Sequence, residues 1–232
     1  MVDKRLTLIQ HLDEFRSRIL QSVIAIIVAA CFVYNFVDKI YGNLVKPVGH
    51  LVFIAPQEAF ATRIKLAFFG GLFLALPFIL YQIWRFISVG LKPSERKYTL
   101  LFGPLSLVFF VLGAVFGYLI IVPIGIKFLL GFATQELKPM ISISKYISFV
   151  GMLTLAFGLV FELPLVSLFL TKIGVVTPQF LSAKRKQAVV IIFIAAAILT
   201  PPDVITQSLM AVPLLILYEI GIILSKIAYR PI

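Results

Sequence analysis

The chain has 232 residues, of which 61% are hydrophobic and only 13% are charged, and its mean hydropathy is +1.07. A soluble core of this length could not bury so much apolar surface, so lipid must cover the rest. The formal net charge is +11. The basic residues are nevertheless spread over many loops and form no continuous stripe of the kind that tracks phosphates, so no nucleic acid partner is expected.

The apolar residues fall in six blocks that are suited to crossing a membrane. Long runs without alternation predict helices, because backbone polar groups in lipid must be satisfied within their own segment. We therefore predict an all-α polytopic membrane protein, with residues 1–232 forming a single membrane-embedded helical domain. The predicted spans are residues 19–37, 64–88, 99–124, 146–171, 187–200 and 204–224.

The fifth block is unusually short, because its apolar part, residues 188–200, is followed at once by Pro201 and Pro202. Thirteen residues at about 1.5 Å each reach roughly 20 Å, less than a hydrocarbon core of about 30 Å. The last two blocks therefore form either a re-entrant hairpin or two short spans. Two short spans are favoured, because full crossings keep Lys184 and Lys226 on one side.

The orientation is predicted by the loops that alternate between these spans. About two thirds of the 21 Lys and Arg residues lie in the flanks on the side of the N-terminus and the C-terminus. Since basic loops stay in the cytoplasm, both termini are expected to be cytoplasmic.

The segment before the first span has two different faces. One face is an apolar stripe that consists of Leu8, Leu12, Phe15 and Ile19. This stripe predicts a short interfacial helix that leads into the first span. His11, Glu14 and Arg18 share another face. The simpler interpretation of that face is a solvated Glu14–Arg18 pair worth about 0.3–0.5 kcal/mol.

Glu95 lies in the first cytoplasmic loop, in the run Lys92-Pro93-Ser94-Glu95-Arg96-Lys97. It has a simple interpretation as a charge in the first turn of the third span, where the helix dipole favours an acid. Glu14 and Glu95 are also rare acids on a basic face, and either carboxylate suits the planar, two-pronged contact of a guanidinium group. A site for a cationic ligand is therefore a second interpretation.

Glu162 is the acid that the predicted spans place nearest to the middle of the bilayer, about nine residues from the end of the fourth span. An unpaired carboxylate is costly at that depth, so Glu162 is expected to face the protein interior or a wet cavity. A functional role is favoured over a structural hydrogen bond.

The last span carries three further polar residues. Asp203 suits a helix cap, and Gln207 offers an amide to a neighbouring helix, a contact worth about 0.6 to 2 kcal/mol. Glu219, near the inner end, is expected to snorkel or to pair with Lys226.

Motifs for catalysis or metal binding are absent from the sequence. There is no phosphate-binding loop and no nucleophile elbow, and His11 and His50 are the only histidines. A single cysteine excludes an intrachain disulfide. We expect neither an enzyme nor a metal or cofactor site.

Six short segments of the sequence are distinctive when they are taken together. The first is His11-Leu12-Asp13-Glu14-Phe15-Arg16-Ser17-Arg18. The others are Tyr81-Gln82-Ile83-Trp84-Arg85-Phe86, Ser94-Glu95-Arg96-Lys97, Phe161-Glu162-Leu163-Pro164, Leu199-Thr200-Pro201-Pro202-Asp203 and Tyr218-Glu219. Together they resemble the TatC family of membrane proteins, and the first segment is similar to the family signature H-L-x-E-L-R-x-R with Phe15 in place of Leu.

The resemblance implies a cell-membrane receptor for the paired-arginine signal peptides of folded proteins. It implies action in a multimeric complex with the single-span proteins TatA and TatB, driven by the proton-motive force. The implied signal-peptide site consists of Glu14 and Glu95, supported by Arg16 and Phe86. Glu162 and the set Thr200, Asp203 and Gln207 become candidate contacts for the signal peptide and partner helices.

Two other classes of function stay open on the sequence alone. A proton-coupled transporter of small solutes would also use an acid at the position of Glu162, but it should contain repeated broken helices, which the sequence does not show. A purely structural membrane subunit would not need the carboxylates of Glu14 and Glu95.

Overall fold

A computed structural model describes residues 8–46, 48, 51–134, 139–199 and 204–229. The secondary-structure elements of these residues are all helices, joined by loops, which confirms the predicted all-α class. The elements are α1 (Leu8–Tyr34), α2 (Val37–Val45), α3 (Pro56–Gly90), α4 (Arg96–Phe116), a π-helical segment (Gly117–Ile121), α5 (Val122–Leu130), α6 (Ile143–Lys172), α7 (Pro178–Ala183), α8 (Arg185–Leu199) and α9 (Val204–Ala228).

Five of the described helical stretches are long and apolar enough to cross a membrane. They are Ile9–Tyr34, Pro56–Gly90, Arg96–Leu130, Ile143–Lys172 and Val204–Ala228. The chain is therefore a multi-pass membrane protein. Of the two last helices expected to be short, α8 is short at 15 residues, whereas α9 is 25 residues long.

The first helix differs from the expected pair of an interfacial helix and a span. α1 runs without a break for 27 residues. No proline or glycine interrupts residues 8–34, so hydrogen bonding continues from the polar segment into the apolar one. Leu20, Ile24 and Val28 lie one turn apart on α1 and are each more than half exposed, which is the surface expected against lipid chains.

The chain forms two compact units. One contains Met1–Leu44 and Phe60–Leu107, and the other contains Val45–Ala59 and Val108–Ile232. In the first unit α3 approaches α1 closely, because a Cβ added at Gly71 would lie 2.5 Å from the Cα of Ala30. Only glycine permits that backbone approach.

The second unit is built mainly on the contact of α9 with α6. Its core includes Phe110 and Phe157, which are almost completely buried. Gly158 makes room for the ring of Phe110, since a Cβ there would lie 2.6 Å from its Cζ. An isolated parallel bridge between Val52 and Ser142 joins two loops of the same unit.

Candidate functional site

The carboxylate of Glu14 is paired with Arg18 one turn further along α1, as the sequence predicts. Arg18 Nε donates to Glu14 Oε1 at 3.0 Å, and Nη2 donates to the same oxygen at 2.5 Å. The exposed fractions of the side chains are only 13% for Arg18 and 20% for Glu14. This is therefore a largely desolvated pair, unlike the solvated one of the simpler interpretation.

A buried amide from α3 completes the contacts of Arg18. Its Nη1 donates to Gln82 Oε1 at 2.7 Å, and the Nε2 of Gln82 donates to Gln21 Oε1 on α1. Gln82 is 4% exposed. The hydrogen bonds of Gln82 with Arg18 and Gln21 tie the two helices together.

The sequence analysis missed Gln82 as a member of this site. The only signal was an amide within an otherwise apolar and aromatic run, Tyr81-Gln82-Ile83-Trp84. Its partners Arg18 and Gln21 lie more than 60 residues away in sequence, so local periodicity could not identify them.

Phe86 lies against the polar half of α1. Its ring stacks on His11 with the centroids 4.5 Å apart, and it meets Phe15 at 5.2 Å in a tilted arrangement. The two contacts bring a predicted site residue of α3 to the helix that carries Glu14. Arg16, on the same helix, is exposed.

Glu95 lies in the turn immediately before α4 rather than in the first turn of that helix. Its Oε2 accepts a hydrogen bond from the backbone N–H of Lys92 at 3.2 Å, and its Oε1 lies 4.0 Å from Lys92 Nζ. The Glu95 side chain is 20% exposed, whereas that of Lys92 is 81% exposed. The turn therefore fixes the carboxylate while its lysine partner stays in solvent.

The other predicted residues lie in the second unit, in so far as the structure describes them. Glu162 is partly exposed on α6, two residues before the buried Pro164. The Nε2 of Gln207 on α9 donates to the carbonyl of Phe193 on α8 at 2.9 Å. Thr200 and Asp203 lie outside the described residues.

The expected pairing of Glu219 with Lys226 is wrong. Arg185 at the start of α8 makes a two-pronged contact instead, with Nε 2.7 Å from Glu219 Oε1 and Nη2 2.9 Å from Oε2. A planar guanidinium matches both carboxylate oxygens at once, which an ammonium group cannot do.

Comparison with known proteins identifies a family for this fold. The family described as Sec-independent protein translocase protein (TatC) matches residues 10–213. A relative of that name from Carboxydothermus hydrogenoformans is 47% identical over 97% of this chain and 95% of its own length. Another from Aquifex aeolicus is 42% identical over 96% of both chains.

A solved structure, described as the twin arginine translocase receptor TatC, has the same fold. It superposes with a TM-score of 0.88 at 41% identity, covering 95% of this chain and 100% of its own. The comparisons give no support to the alternative of a small-solute transporter.

Proposed function

The chain belongs to the TatC family of Sec-independent protein translocase proteins, and we propose that it is the translocase subunit that binds twin-arginine signal peptides. The proposed site consists of the carboxylates of Glu14 and Glu95, with Arg16 and Phe86 in support. Each carboxylate would receive one guanidinium group of the arginine pair.

The observation that carries this proposal is the environment of Glu14. Its carboxylate is 20% exposed and already holds a guanidinium group, that of Arg18, through two hydrogen bonds. The surroundings of this carboxylate therefore accommodate a guanidinium group and supply the charge that it requires. A charge-assisted hydrogen bond at a desolvated position contributes about 1.5–3 kcal/mol, more than an exposed pair does.

The contacts of Phe86 support a shared site with Glu95. Phe86 packs against His11 and Phe15 of α1, and α3 ends at Gly90, five residues before Glu95. Five residues span at most about 18 Å, so the loop stays near the helix end that contacts α1. Two adjacent arginines with extended side chains cover a similar distance.

We further propose that the chain acts in a multimeric complex with TatA and TatB, and that the proton-motive force drives export. Glu162 is the proposed intramembrane contact. Thr200, Asp203 and Gln207 are the proposed contacts for partner helices, of which only Gln207 lies among the described residues. Its contact with the Phe193 carbonyl shows that its amide is used between neighbouring helices of this chain.

The proposed topology has six crossings in the cytoplasmic membrane, with both termini in the cytoplasm and residues 1–232 acting as one membrane-embedded domain. The excess of basic residues in the flanks beside the termini supports this orientation. α8 would be the fifth crossing in chain order, in addition to the five long stretches. Its 15 residues reach about 22 Å, so the bilayer would have to thin around it.

Peptide binding to the protein in nanodiscs tests the proposed site. A twin-arginine peptide and its twin-lysine counterpart are titrated into wild type, Glu14→Gln, Glu95→Gln and the double variant. We expect each single change to weaken arginine-peptide binding about tenfold or more, which corresponds to 1.4 kcal/mol. The loss should be smaller for the lysine peptide, which cannot use the fork.

Two results would contradict the proposal. Unchanged binding of the arginine peptide by both single variants would put the site elsewhere. Equal losses for the two peptides would indicate a general charge effect in place of guanidinium recognition.

A further inference from the structure

The pairing of Glu14 with Arg18 restricts how a ligand arginine could bind there. Both hydrogen bonds from Arg18, through Nε and Nη2, end on the same oxygen, Oε1. A carboxylate oxygen has two lone pairs in its plane, so Oε1 is fully used. Among the described residues no donor is bonded to Oε2. An arriving guanidinium can therefore reach only Oε2, and the two-pronged contact in which each carboxylate oxygen accepts one hydrogen bond is closed to it.

We infer that Arg18 is a built-in competitor for the signal-peptide arginine: it occupies Glu14 and must leave Oε1 before the ligand can bind both carboxylate oxygens. This inference rests on the proposed function. It adds that the binding step exchanges one guanidinium for another on the same carboxylate. The net gain in affinity is then only the difference between the two contacts.

Gln82 determines how easily Arg18 can leave. Its Oε1 accepts from Arg18 Nη1 at 2.7 Å, and its own amide group is held by Gln21. Gln82 is buried, so breaking this bond leaves a polar atom that must find another partner. Arg18 is thus held at two points, by Glu14 on its own helix and by α3.

The alternative role for Arg18 is to orient Glu14 for the ligand. The two roles predict opposite effects of removing the guanidinium. A competitor that is removed leaves a carboxylate with both oxygens available, and the ligand binds more tightly. An orienting residue that is removed leaves a mobile carboxylate, and the ligand binds more weakly.

The test titrates the twin-arginine and twin-lysine peptides into the full chain in nanodiscs. The variants are Arg18→Met, Arg18→Lys, Glu14→Gln and Glu14→Gln combined with Arg18→Met. Arg85→Met is the matched control, because Arg85 lies on α3 close to Gln82 and donates to the hydroxyl of Tyr81 at 3.2 Å. Among the described residues no carboxylate pairs with Arg85.

Arg18→Met is expected to bind the arginine peptide about tenfold more tightly than wild type, with a smaller gain for the lysine peptide. Arg18→Lys should show an intermediate gain, since one ammonium group cannot give Oε1 both bonds in the geometry of the fork. The gain of Arg18→Met should vanish when Glu14 is also replaced by Gln, and Arg85→Met should bind as wild type does.

Failure of this inference can be told apart from failure of the proposed function. If Glu14→Gln weakens binding but Arg18→Met binds no more tightly than wild type, Arg18 is not a competitor, although Glu14 remains a ligand site. If Glu14→Gln binds as wild type does, the proposed site itself is wrong. If Arg18→Met does not fold, Arg18→Lys decides the test. Binding of the arginine peptide by Arg18→Lys that is equal to or weaker than that of wild type would then overturn the inference.

Discussion

The hydroxyl of Thr171 on α6 donates to that of Ser225 on α9 at 3.0 Å, in a contact where Ser225 is completely buried. Ser225 in turn donates to the carbonyl of Ser167 at 3.2 Å. Small residues let the two helices approach, because a Cβ at Gly221 would lie only 3.1 Å from the Oγ of Ser167. Polar groups and small side chains are what hold helices together when lipid removes the hydrophobic driving force.

Ser225→Ala should therefore lower the free energy of unfolding by about 1 kcal/mol. The cost stays modest because Thr171 can still donate to the Ser167 carbonyl, 2.8 Å away. Ser225→Leu should cost more, about 1–3 kcal/mol, since it overpacks the contact. Thermal unfolding in detergent measures both. Ser208→Ala is the control, because the Ser208 hydroxyl donates to the Val204 carbonyl of its own helix, α9. Equal losses of stability in Ser208→Ala and Ser225→Ala would contradict a role for the interhelical bond.

Replacement by alanine is expected to change stability in opposite directions at two glycines among the first 90 residues, Gly71 and Gly42. Gly71→Ala places a methyl group 2.5 Å from the Ala30 backbone, and the helices must separate, at a cost of about 1–3 kcal/mol. Gly42→Ala in α2 meets nothing within 4 Å and should stabilise by about 0.5–1 kcal/mol through helix propensity. Melting temperatures compare the two. A stabilising Gly71→Ala would mean that α1 and α3 do not approach as closely as the structure indicates.

The long helices could be predicted from the sequence because the membrane as solvent leaves few alternatives. Each of the six predicted spans lies largely within one helical stretch, and helices such as α3 extend beyond theirs at both ends, from Pro56 to Gly90. Hydropathy marks the part in lipid, whereas the helix continues as far as hydrogen bonding and propensity allow. α2, α7 and the π-helical segment were not predicted, since short elements carry little periodic signal.

Only the local part of the candidate site could be predicted in the same way. The Glu14–Arg18 pair follows from their spacing on one helix. The bonds of Arg18 to Gln82 and of Arg185 to Glu219 join residues 64 and 34 positions apart. Such pairs depend on which helices pack together, and a single sequence does not contain that information in a local pattern.

Glu58 lies six residues before the predicted span 64–88, outside the part of α3 expected in lipid. Its contacts predict that stability depends on pH only under acid conditions. The backbone N–H of Ile54 donates to its Oε2 at 2.7 Å, and the hydroxyl of Ser142 donates to Oε1 at 3.0 Å. The bond from Ile54 is the main cause that lowers the pKa of Glu58 below its ordinary value of 4.5, with Ser142 and the charge of Lys145 adding to it. The folded protein therefore favours the ionised form.

Because the folded pKa is the lower one, this contribution to stability is present above pH 4.5 and is lost as the pH falls below 4.5 and through the folded pKa. Glu58→Gln is expected to melt below wild type at neutral pH, and the difference should shrink at about pH 3. Comparing the two proteins at each pH cancels the titration of all other groups. If the two melting temperatures differed by the same amount at both pH values, ionisation of Glu58 would not be the source of its contribution to stability.

Glu162 provides the prediction that separates a structural from a functional acid in the membrane. Glutamine has almost the same shape as glutamate and keeps its hydrogen-bonding capacity, and it removes the cost of holding a charge at that depth. Glu162→Gln should therefore fold normally and accumulate to the wild-type level. If the charge or the proton of Glu162 is used in translocation, export should fall all the same.

The measurement is the rate at which a folded twin-arginine reporter is exported. It is carried out in cells whose own copy of the subunit is deleted. The amount of membrane-inserted subunit is determined in parallel. Glu58→Gln is the matched control, since it makes the same change at a carboxylate in the first turn of α3, and export should continue with it. Loss of export by Glu162→Gln at a normal protein level supports the functional role. Wild-type export at that level would assign Glu162 to a structural hydrogen bond, because an amide would then serve as well as an acid.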